Sequence, residues 1–483
     1  MKVLFFIRQR SKAPLGLSSE FWFRSYQCEV AHIEEASHVN TGFSLAECPR
    51  AVNRTFEKLF LILLFMGHTL MASTLETIEV KGVKVPFIYE QDKRLPIVSM
   101  QVIFTGSGSI DEGKNFGLAR LSAKMMNEGT KKLGSVGFAD ALESKAIQLS
   151  TNAGSETFVM EIGSLRDEFD GGLSLMSDLI QKPNLTKETL EKVKTRTFSD
   201  IARKESDFDT VASDELKAIL FEGTPIATPN IGTKESIEAI KLKDVEGFLA
   251  DQMVLSNALI IMGGDLTSEE AKVKAAKILS LFEVGKVALQ RHYDPRKTPK
   301  ESILKRPQTQ QTYLYFGSPF AMNEGDPQFY KAKVAMFILG SSGFGSRLME
   351  DIRVKRGLAY SAYSRLGIAK THTYFSGYLQ TKLESGDQAK KSVIEVIDTF
   401  TKNGVTQAEL DQARKFLLGS EPLRVETLSQ RLGRTFSEYY QGKELGYSLK
   451  ELEMIKKLEL NDLNDFIKQH GEINDLSYAI VSK

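Results

Sequence analysis

Between residues 75 and 483, short apolar stretches with partial alternation are followed by longer stretches whose apolar residues recur at helical spacing. Residues 96–104 and 310–317 are rich in strand-forming residues, and residues 149–163 have the pattern of a strand pair. The strands and helices come in blocks rather than in strict alternation. This order predicts an α+β fold in which helices pack on a sheet that is mainly antiparallel.

The same order of elements occurs twice. The segment LTKETLEKVK, which begins at Leu185, corresponds to VTQAELDQAR, which begins at Val405, and each places a threonine at a helix N-cap. Residues 242–249 and 460–467 form a second matched pair of capped helices, and each is followed by an apolar strand. The near-equal spacing of matched elements predicts two homologous α/β-sandwich domains produced by duplication.

The predicted domain boundaries follow from this repeat. We assign residues 75–285 to the first domain and residues 311–483 to the second. Residues 286–310 are predicted as the linker that joins them, because residues 291–310 are polar and basic and contain three prolines.

The first 72 residues have a different character. Arg54 and Lys58 precede an apolar run that is too short to span a bilayer, and the small residue Ala72 follows at a position suited to cleavage. This order predicts a signal peptide at residues 53–72, with a buried amphipathic helix as the alternative. Because a signal peptide begins a chain, residues 1–52 are interpreted as a non-native or disordered extension from a start site placed too early.

Cysteine usage and charge narrow the class of protein. Cys28 and Cys48 both precede the predicted cleavage point, so the mature chain has no cysteine, which suits an oxidising compartment. The net charge is +1, which gives no electrostatic case for a nucleic-acid partner. No apolar run reaches the roughly 18 residues of a membrane span. Together with the signal peptide, these features predict a soluble periplasmic or secreted protein.

The stretch GLARLSAKMMNEGT at residues 117–130 resembles a helix of the inverted zinc-motif peptidases, the family of pitrilysin, insulinase and the mitochondrial processing peptidase. In that family the motif H-x-x-E-H places two histidines on one helix face to bind zinc, and the glutamate acts as general base. The frame aligns without a gap. Arg120 takes the first histidine position, Ala123 the glutamate position and Lys124 the second histidine position.

These three residues exclude a zinc site of the family type. Arginine stays protonated, a lysine ammonium is not a ligand, and two cations repel a divalent metal. The family's third ligand is a glutamate about 75 residues downstream; Asp200 is the nearest acid there, and which residue replaces the ligand stays open. Downstream of residue 72 only His292, His372 and His470 remain, and no two of them have metal-ligand spacing. The sequence therefore predicts no metal bound by this chain.

The second half retains a motif that the family places opposite the zinc site. The stretch GSSGFGSRLMEDIRVKRGLAYSAYS at residues 340–364 is similar to the family's C-terminal signature, with an arginine and a tyrosine seven residues apart. The resemblance assigns Arg353 and Tyr360 to these positions, where they would donate hydrogen bonds to the substrate carbonyl and the developing oxyanion. A solvated helix residue and a half-buried strand residue are the alternative interpretations.

Members of this family also bind peptides by adding them as a strand to a sheet edge near the zinc site. Residues 150–162 stand where that edge strand belongs. The resemblance therefore assigns substrate binding to Asn152, Ala153, Gly154 and Ser155, with an ordinary edge strand as the alternative.

The resemblance covers most of residues 75–483 and implies a divided peptidase. It predicts a non-zinc subunit of a heteromeric metallopeptidase that degrades or processes extended peptides. Arg353 and Tyr360 would act in trans on a homologous, zinc-bearing partner in a heterodimer or heterotetramer. Zinc is expected on that partner, and no cofactor on this chain. The alternative is a structural or assembly protein with a degenerate peptidase fold.

Overall fold

A computed structural model describes residues 73–483 of the chain. The predicted extension at residues 1–52 and the predicted signal peptide at residues 53–72 lie outside the described residues. The predicted α+β fold is confirmed: two mainly antiparallel sheets are packed with helices.

The first sheet is built from β1 (Thr74–Val80), β2 (Val83–Gln91), β3 (Ile97–Thr105), β4 (Gln148–Ala153), β5 (Thr157–Leu165) and β6 (Ala258–Gly264). The strands lie in the order β1-β2-β6-β3-β5-β4, so β4 forms an edge. Neighbouring strands are antiparallel except for the parallel pair of β2 and β6. The strand pair predicted at residues 149–163 is confirmed as β4 and β5.

The second sheet is built from β7 (Glu301–Lys305), β8 (Gln311–Pro319), β9 (Ala359–Ile368), β10 (Thr373–Lys382) and β11 (Ser477–Ser482). Its order is β7-β11-β8-β10-β9, and β7 and β11 are its one parallel pair. This order repeats β2-β6-β3-β5-β4 strand for strand. The topology therefore agrees with a duplicated unit, and β4 and β9 are equivalent edge strands.

The α-helices of the first half are α1 (Leu118–Met126), α2 (Gly134–Glu143), α3 (Phe169–Gln181), α4 (Lys187–Glu205), α5 (Phe208–Leu220), α6 (Lys234–Ala239), α7 (Leu242–Gln252) and α8 (Ser268–Leu279). Those of the second half are α9 (Phe329–Met336), α10 (Gly386–Asn403), α11 (Gln407–Gly419), α12 (Leu428–Tyr440), α13 (Tyr447–Lys457) and α14 (Leu460–Gln469). Two π-helical segments, Phe337–Ser341 and Met349–Lys355, precede β9.

The helices that revealed the repeat begin where the sequence predicts. Thr186 accepts a hydrogen bond from the backbone N–H of Thr189 at 3.1 Å and starts α4. Thr406 accepts one from the backbone N–H of Glu409 at 3.3 Å, and Glu409 accepts one from the N–H of Thr406 at 2.7 Å. These caps satisfy N–H groups that have no partner inside the helix, so both starts are set locally.

One face of each sheet packs against helices of its own half. Side chains alternate between the two faces of a strand, so Val102 and Ile103 of β3 enter different clusters. The largest fully buried side chains of the two cores are phenylalanines: Phe87, Phe104, Phe158 and Phe169 in the first half, and Phe316, Phe375, Phe400 and Phe466 in the second.

The opposite face of each sheet is covered by a helix from the other half. Leu432 of α12 is buried against Ile88, Ile103, Leu259 and Ile261 of the first sheet. On the second sheet, α5 packs its buried residues Ala212, Leu216, Ile219 and Leu220 against Tyr315, Tyr374, Tyr378, Ala479 and Val481. The two helices are matched elements of the repeat, because both their first and last residues are 220 positions apart (208 to 428, 220 to 440). Each half therefore contributes the matched helix to the other half's sheet, and we call α5 and α12 the exchanged helices.

Glycines in the central strands make this close packing feasible. A Cβ at Gly263 of β6 would lie 2.7 Å from Cδ1 of Leu432 on α12. A Cβ at Gly317 of β8 would lie 3.0 Å from Cδ1 of Leu220 on α5. Both distances are shorter than an ordinary contact, so a larger residue at either position would push the exchanged helix away from its sheet.

A buried ionic cluster also joins α12 to the first sheet. Arg431 binds Glu90 Oε1 through Nε at 2.5 Å and Asp92 Oδ2 through its terminal nitrogen at 2.7 Å. Glu90 is only 1% exposed and Asp92 6%. Hydrogen bonds from Arg94 and, to a smaller extent, from Arg431 hold the pKa of the Asp92 carboxyl well below its usual range. They outweigh burial, which by itself would raise that pKa. The cluster satisfies two carboxylates that would otherwise be buried without a cation.

The predicted linker at residues 286–310 is only partly correct. It contains β7, which pairs with β11 along Glu301–Lys305 and belongs to the second sheet. The strand has alternating half-buried and exposed side chains because it lies at an edge, which explains why its sequence is polar enough to resemble a linker. Similarly, α5 lies within the residues assigned to the first domain but packs on the second sheet.

Within residues 73–483, none of the helices is both long enough and apolar enough to cross a membrane.

We predict that Arg431→Met lowers the free energy of unfolding by about 3–5 kcal/mol, because it leaves Glu90 buried without its cation. Urea unfolding followed by circular dichroism would measure the loss at neutral pH. Asp92 has a lowered pKa in the folded state, so its share of the stability is present above the unfolded pKa of about 3.9 and is lost as the pH falls through the folded pKa. The part of the difference between variant and wild type that comes from the Arg431–Asp92 hydrogen bond should therefore shrink in acid, whereas the larger effect of Arg94 is common to both proteins.

Ser429→Ala, on the exposed side of the same helix, is the matched control for Arg431→Met. Equal losses in the two variants would show that the ionic cluster does not stabilise the exchanged helix.

Candidate functional site

Helix α1 carries the three positions of the replaced zinc motif and is anchored at both ends. Before its start, Glu112 accepts hydrogen bonds from the backbone N–H groups of Gly117 (2.6 Å) and Ala119 (2.8 Å). Burial raises the pKa of the Glu112 carboxyl to about 8, against the opposing effect of these N–H groups. After its end, Glu128 binds Lys192 of α4 at 2.6 Å. The position of α1 is therefore fixed without a metal ion.

The structure brings Lys124 and Asp200 together. Lys124 Nζ lies 2.8 Å from Asp200 Oδ2 and 3.1 Å from Thr197 Oγ1. Arg120 is one helical turn before Lys124 on the same face of α1, and Ala123 is 2% exposed in the first core. The two ligand positions of the motif are thus held by cations, one of them already paired with the nearby acid, and the general-base position is held by a small apolar residue.

This arrangement does not fit a zinc ion. A family-type site needs two neutral imidazoles and a carboxylate, whereas here an ammonium binds the carboxylate of Asp200. Among residues 73–483, no group of three or more histidine, cysteine, aspartate and glutamate side chains is arranged to hold a metal.

The three histidines downstream of residue 72 contact aromatic rings or a backbone carbonyl. His372 packs against Phe221 and Tyr374, with ring centroids 5.2 and 5.7 Å away, and burial lowers its pKa to about 4. His470 stacks on Phe320 at 4.4 Å. His292 Nδ1 lies 3.3 Å from the carbonyl oxygen of Lys370. Each of the three histidines therefore has a contact that involves no metal.

The residues predicted to bind substrate lie at the edge of the first sheet. Asn152 and Ala153 end β4, and Gly154 and Ser155 form the turn to β5. In the next position, Glu156 accepts hydrogen bonds from the N–H and hydroxyl of Thr371 in the β9–β10 turn at 2.8 and 2.6 Å. Its other oxygen accepts one from the hydroxyl of Tyr440 at 3.0 Å. The β4–β5 turn is therefore tied to the second half.

Arg353 and Tyr360 are brought together at the equivalent edge of the second sheet. The Arg353 guanidinium carbon lies 4.7 Å from the centre of the Tyr360 ring and 4.5 Å from the centre of the Phe344 ring. Tyr360 is 81% exposed and Phe344 67% exposed. The guanidinium thus lies over the faces of two aromatic rings that are mostly exposed. Phe344 was not singled out from the sequence, although a lone aromatic residue within the glycine- and serine-rich stretch 340–346 was a usable signal.

Local irregularities of the backbone produce this stack. Arg353 belongs to the π-helical segment Met349–Lys355, a rare geometry that is frequent at functional sites. Gly357, with φ of 63°, then turns the chain into β9. The pairing of β9 with β10 shifts register between Leu379 and Thr381, opposite Tyr360.

The electrostatic surroundings of Arg353 differ from those of its neighbours. Arg347 binds Glu409 with two hydrogen bonds of 2.7 and 2.8 Å. Arg356 binds Asp351 and Glu395, both at 2.7 Å. Within residues 73–483, no carboxylate lies within ion-pair distance of Arg353, and its N–H groups donate to no other side chain or carbonyl. Its donors are therefore available to a ligand.

Arg347 has a structural position. Besides Glu409, it binds the carbonyl oxygen of Gly404 at 2.8 Å and so links the chain before β9 to the start of α11. Burial alone would raise the pKa of Glu409, but hydrogen bonds from Arg347 and the backbone of Thr406 outweigh it and lower the pKa to about 2. In the described residues, no hydrogen bond, ion pair or ring contact joins Arg353 or Tyr360 to the replaced motif on α1.

Two family models match the chain. The model described as insulinase (peptidase family M16) matches residues 87–234, and the model described as peptidase M16 inactive domain matches residues 239–417. The second match begins before α7 and β6, so the matched ranges do not coincide with the two sheets.

Curated relatives and solved structures agree with these matches. A protein of Helicobacter pylori named non-peptidase homolog YmxG is 42% identical over 427 residues, which are 88% of this chain and 98% of the relative. An uncharacterized zinc protease of Mycobacterium tuberculosis is 23% identical, over 74% of this chain and 83% of the relative.

The fold is shared with a peptidase M16 inactive domain from Pseudomonas fluorescens, with a TM-score of 0.78, 24% identity and coverage of 85% of this chain and 98% of that one. A protease from Helicobacter pylori has a TM-score of 0.74 and 15% identity, over 85% of this chain and 100% of that one. Because the two models together match more than half of the residues and the relative at 42% identity is covered almost completely, this chain belongs to the insulinase-type M16 peptidase family, as a member without the zinc motif.

Proposed function

We propose that this chain is the non-zinc subunit of a heteromeric metallopeptidase and that Arg353 and Tyr360 act in trans on a peptide bound to a homologous, zinc-bearing partner. The observation that carries the proposal is the stacking of Arg353 on the exposed rings of Phe344 and Tyr360. The stack presents the N–H donors of Arg353 to a ligand, because they have no partner among residues 73–483.

The composition of the stack supports a role in binding. Tyrosine and arginine are enriched among the residues that contribute most to protein interfaces, and exposed aromatic rings gain when a partner covers them. The rings also limit the orientations of the guanidinium, so less entropy is lost when its N–H groups bind an oxygen. The guanidinium of Arg353 is therefore preorganised to bind a partner that supplies hydrogen-bond acceptors.

Peptide hydrolysis supplies such an acceptor. The carbonyl oxygen gains negative charge as the tetrahedral intermediate forms, and the guanidinium of Arg353 and the phenol of Tyr360 are both donors suited to it. The partner would contribute the zinc ion and the general base, because Arg120, Ala123 and Lys124 can contribute neither. The relative described as a non-peptidase homolog agrees with a chain that is inactive by itself.

The proposal extends to binding of the peptide backbone at β4. This strand has the edge position that strand addition needs, and Asn152, Ala153, Gly154 and Ser155 lie at its end and in the following turn. Glu156 couples this turn to the second half, so the edge is held in a defined place relative to β9 and β10.

A structural or assembly protein with a degenerate peptidase fold is the second candidate. The observation that favours it is the pair of Lys124 and Asp200, which replaces a metal ligand with an ordinary ion pair. The two candidates differ in one respect, which is whether Arg353 and Tyr360 matter after the complex has formed.

Export to the periplasm or the exterior is part of the proposal. It rests on the order of Arg54, Lys58, the apolar run and Ala72 in residues 53–72, and on the absence of cysteine from residues 73–483.

We predict that the chain restores or raises endopeptidase activity when mixed with its zinc-bearing homologue, and that Arg353→Ala and Tyr360→Phe each lower turnover by about a hundred- to a thousand-fold. Tyr360→Phe keeps the ring that stacks on Arg353 and removes only the hydroxyl donor. Steady-state kinetics would show the loss in kcat if the donors act in the transition state, and in KM if they only position the peptide. Gel filtration would show that the complex persists.

The matched control for these two variants is Lys355→Ala, because Lys355 is exposed in the same π-helical segment. Arg347→Ala serves as the control for structural damage, since it breaks the bonds to Glu409 and Gly404. Full activity of both Arg353→Ala and Tyr360→Phe within an intact complex would contradict the role in trans and favour the scaffold.

We predict that the purified chain retains no zinc after dialysis, because Lys124 occupies a ligand position and already binds Asp200. The combination of Arg120→His with Lys124→His should take up zinc, since it releases Asp200 as a third ligand on the same side of α1. Metal analysis by mass spectrometry would measure both proteins, with Lys124→Ala alone as the control. One tightly held zinc per wild-type chain would overturn the assignment.

We predict that replacing both Leu61 and Leu64 with arginine retains the protein in the cytoplasm, because charges interrupt the apolar run of the signal peptide. Fractionation followed by immunoblotting would locate the protein. Undiminished export of the variant would contradict the signal peptide.

A further inference from the structure

We propose that Asn127 determines whether an extended peptide can add to β4. Asn127 follows the last residue of α1, and its side chain reaches the edge strand. Its Nδ2 donates to the carbonyl oxygen of Thr151 at 2.8 Å, and its Oδ1 accepts from the N–H of Thr151 at 2.8 Å. One carboxamide thus makes the two hydrogen bonds that a residue of an added strand would make. The inference rests on the proposed function only in taking an extended peptide as the ligand.

The register of the hairpin shows which backbone groups of β4 face outward. The N–H of Gly154 binds the carbonyl oxygen of Thr157 at 2.8 Å, and Asn152 stands opposite Val159. Hydrogen-bonded pairs alternate along an antiparallel ladder, so Asn152 and every second residue before it bind β5. The outward-facing positions of β4 are therefore Leu149, Thr151 and Ala153.

The side chain of Asn127 already binds the backbone of Thr151, which is the central one of these three positions. Beyond Ala153 the turn is also covered, because Ser109 N–H binds the carbonyl oxygen of Gly154 at 3.0 Å and Ile110 N–H binds that of Ser155 at 3.1 Å. Ala153 thus lies between an occupied position and a covered turn. An added strand forms hydrogen bonds with every second residue along the edge. A peptide bound at Ala153 can therefore continue to Thr151 and Leu149 only after Asn127 has moved away.

Asn127 is placed so that it can move. It is an exposed residue at the end of a helix, so its side chain can rotate away without opening the core. It therefore competes with peptide binding: a peptide must replace two good hydrogen bonds before it gains its own.

The test is a binding titration of the full chain with a fluorescein-labelled, uncharged and unstructured peptide made of Ser, Thr, Val and Gln. Asn127→Ala removes both competing hydrogen bonds and should bind the peptide about 10- to 30-fold more tightly than the wild type. Asn127→Asp keeps the size of the side chain but turns a carboxylate oxygen toward the carbonyl of Thr151, so it should also bind more tightly. The same peptide with alternate backbone nitrogens methylated should show no gain.

Asn184→Asp is the matched control, because Asn184 binds the carbonyl oxygen of Glu128 near the end of the same helix and does not touch β4. Equal affinity of wild type and both Asn127 variants, including no binding by any of them, would overturn the inference. A gain that methylation does not abolish would also overturn it. If Asn127→Ala fails to fold, the size-preserving Asn127→Asp decides the result. The partner subunit is not in this assay, so its outcome does not test the role of Arg353 and Tyr360 in trans, and the two proposals can fail separately.

Discussion

The reciprocal packing of α5 and α12 is the constraint on which the rest of this structure depends. Each sheet has a second apolar face that its own half leaves uncovered, and burial of one large apolar side chain there is worth on the order of 1.5–3 kcal/mol. Leu216 and Leu220 provide that cover on one sheet and Leu432 on the other. Because both sheets must present their open faces to the exchanged helices, the positions of the edge strands β4 and β9 are set at the same time.

Much of this fold follows from local features of the sequence. The caps at Thr186 and Thr406 act within one turn of helix, so the starts of α4 and α11 could be predicted from a few neighbouring residues. The exchange of α5 and α12 could not, because an amphipathic helix carries no sign of which sheet it will cover. The strand β7 was missed for a related reason, since an edge strand with one solvated face has the polar composition of a linker.

The candidate site was predictable to a similar extent. The replaced motif on α1 and the pair of Arg353 and Tyr360 follow from their spacing. The stacking of Phe344 and the bond from Asn127 to Thr151 depend on three-dimensional contacts between elements that the sequence does not order. The pair of Lys124 and Asp200 is about one-third exposed, so it adds little stability. Its main effect is that a carboxylate beside the former metal position is neutralised by the chain itself.

The exchanged helices also restrict how this protein can open. A hinge motion that separated the two halves would pull α5 from one sheet and α12 from the other, and would expose both apolar faces together. The tie from Glu156 to Thr371 and Tyr440 resists the same motion at the rim. Separating the two halves of this chain would therefore cost apolar burial on two sheets as well as the hydrogen bonds of Glu156, so the halves are expected to move as one body.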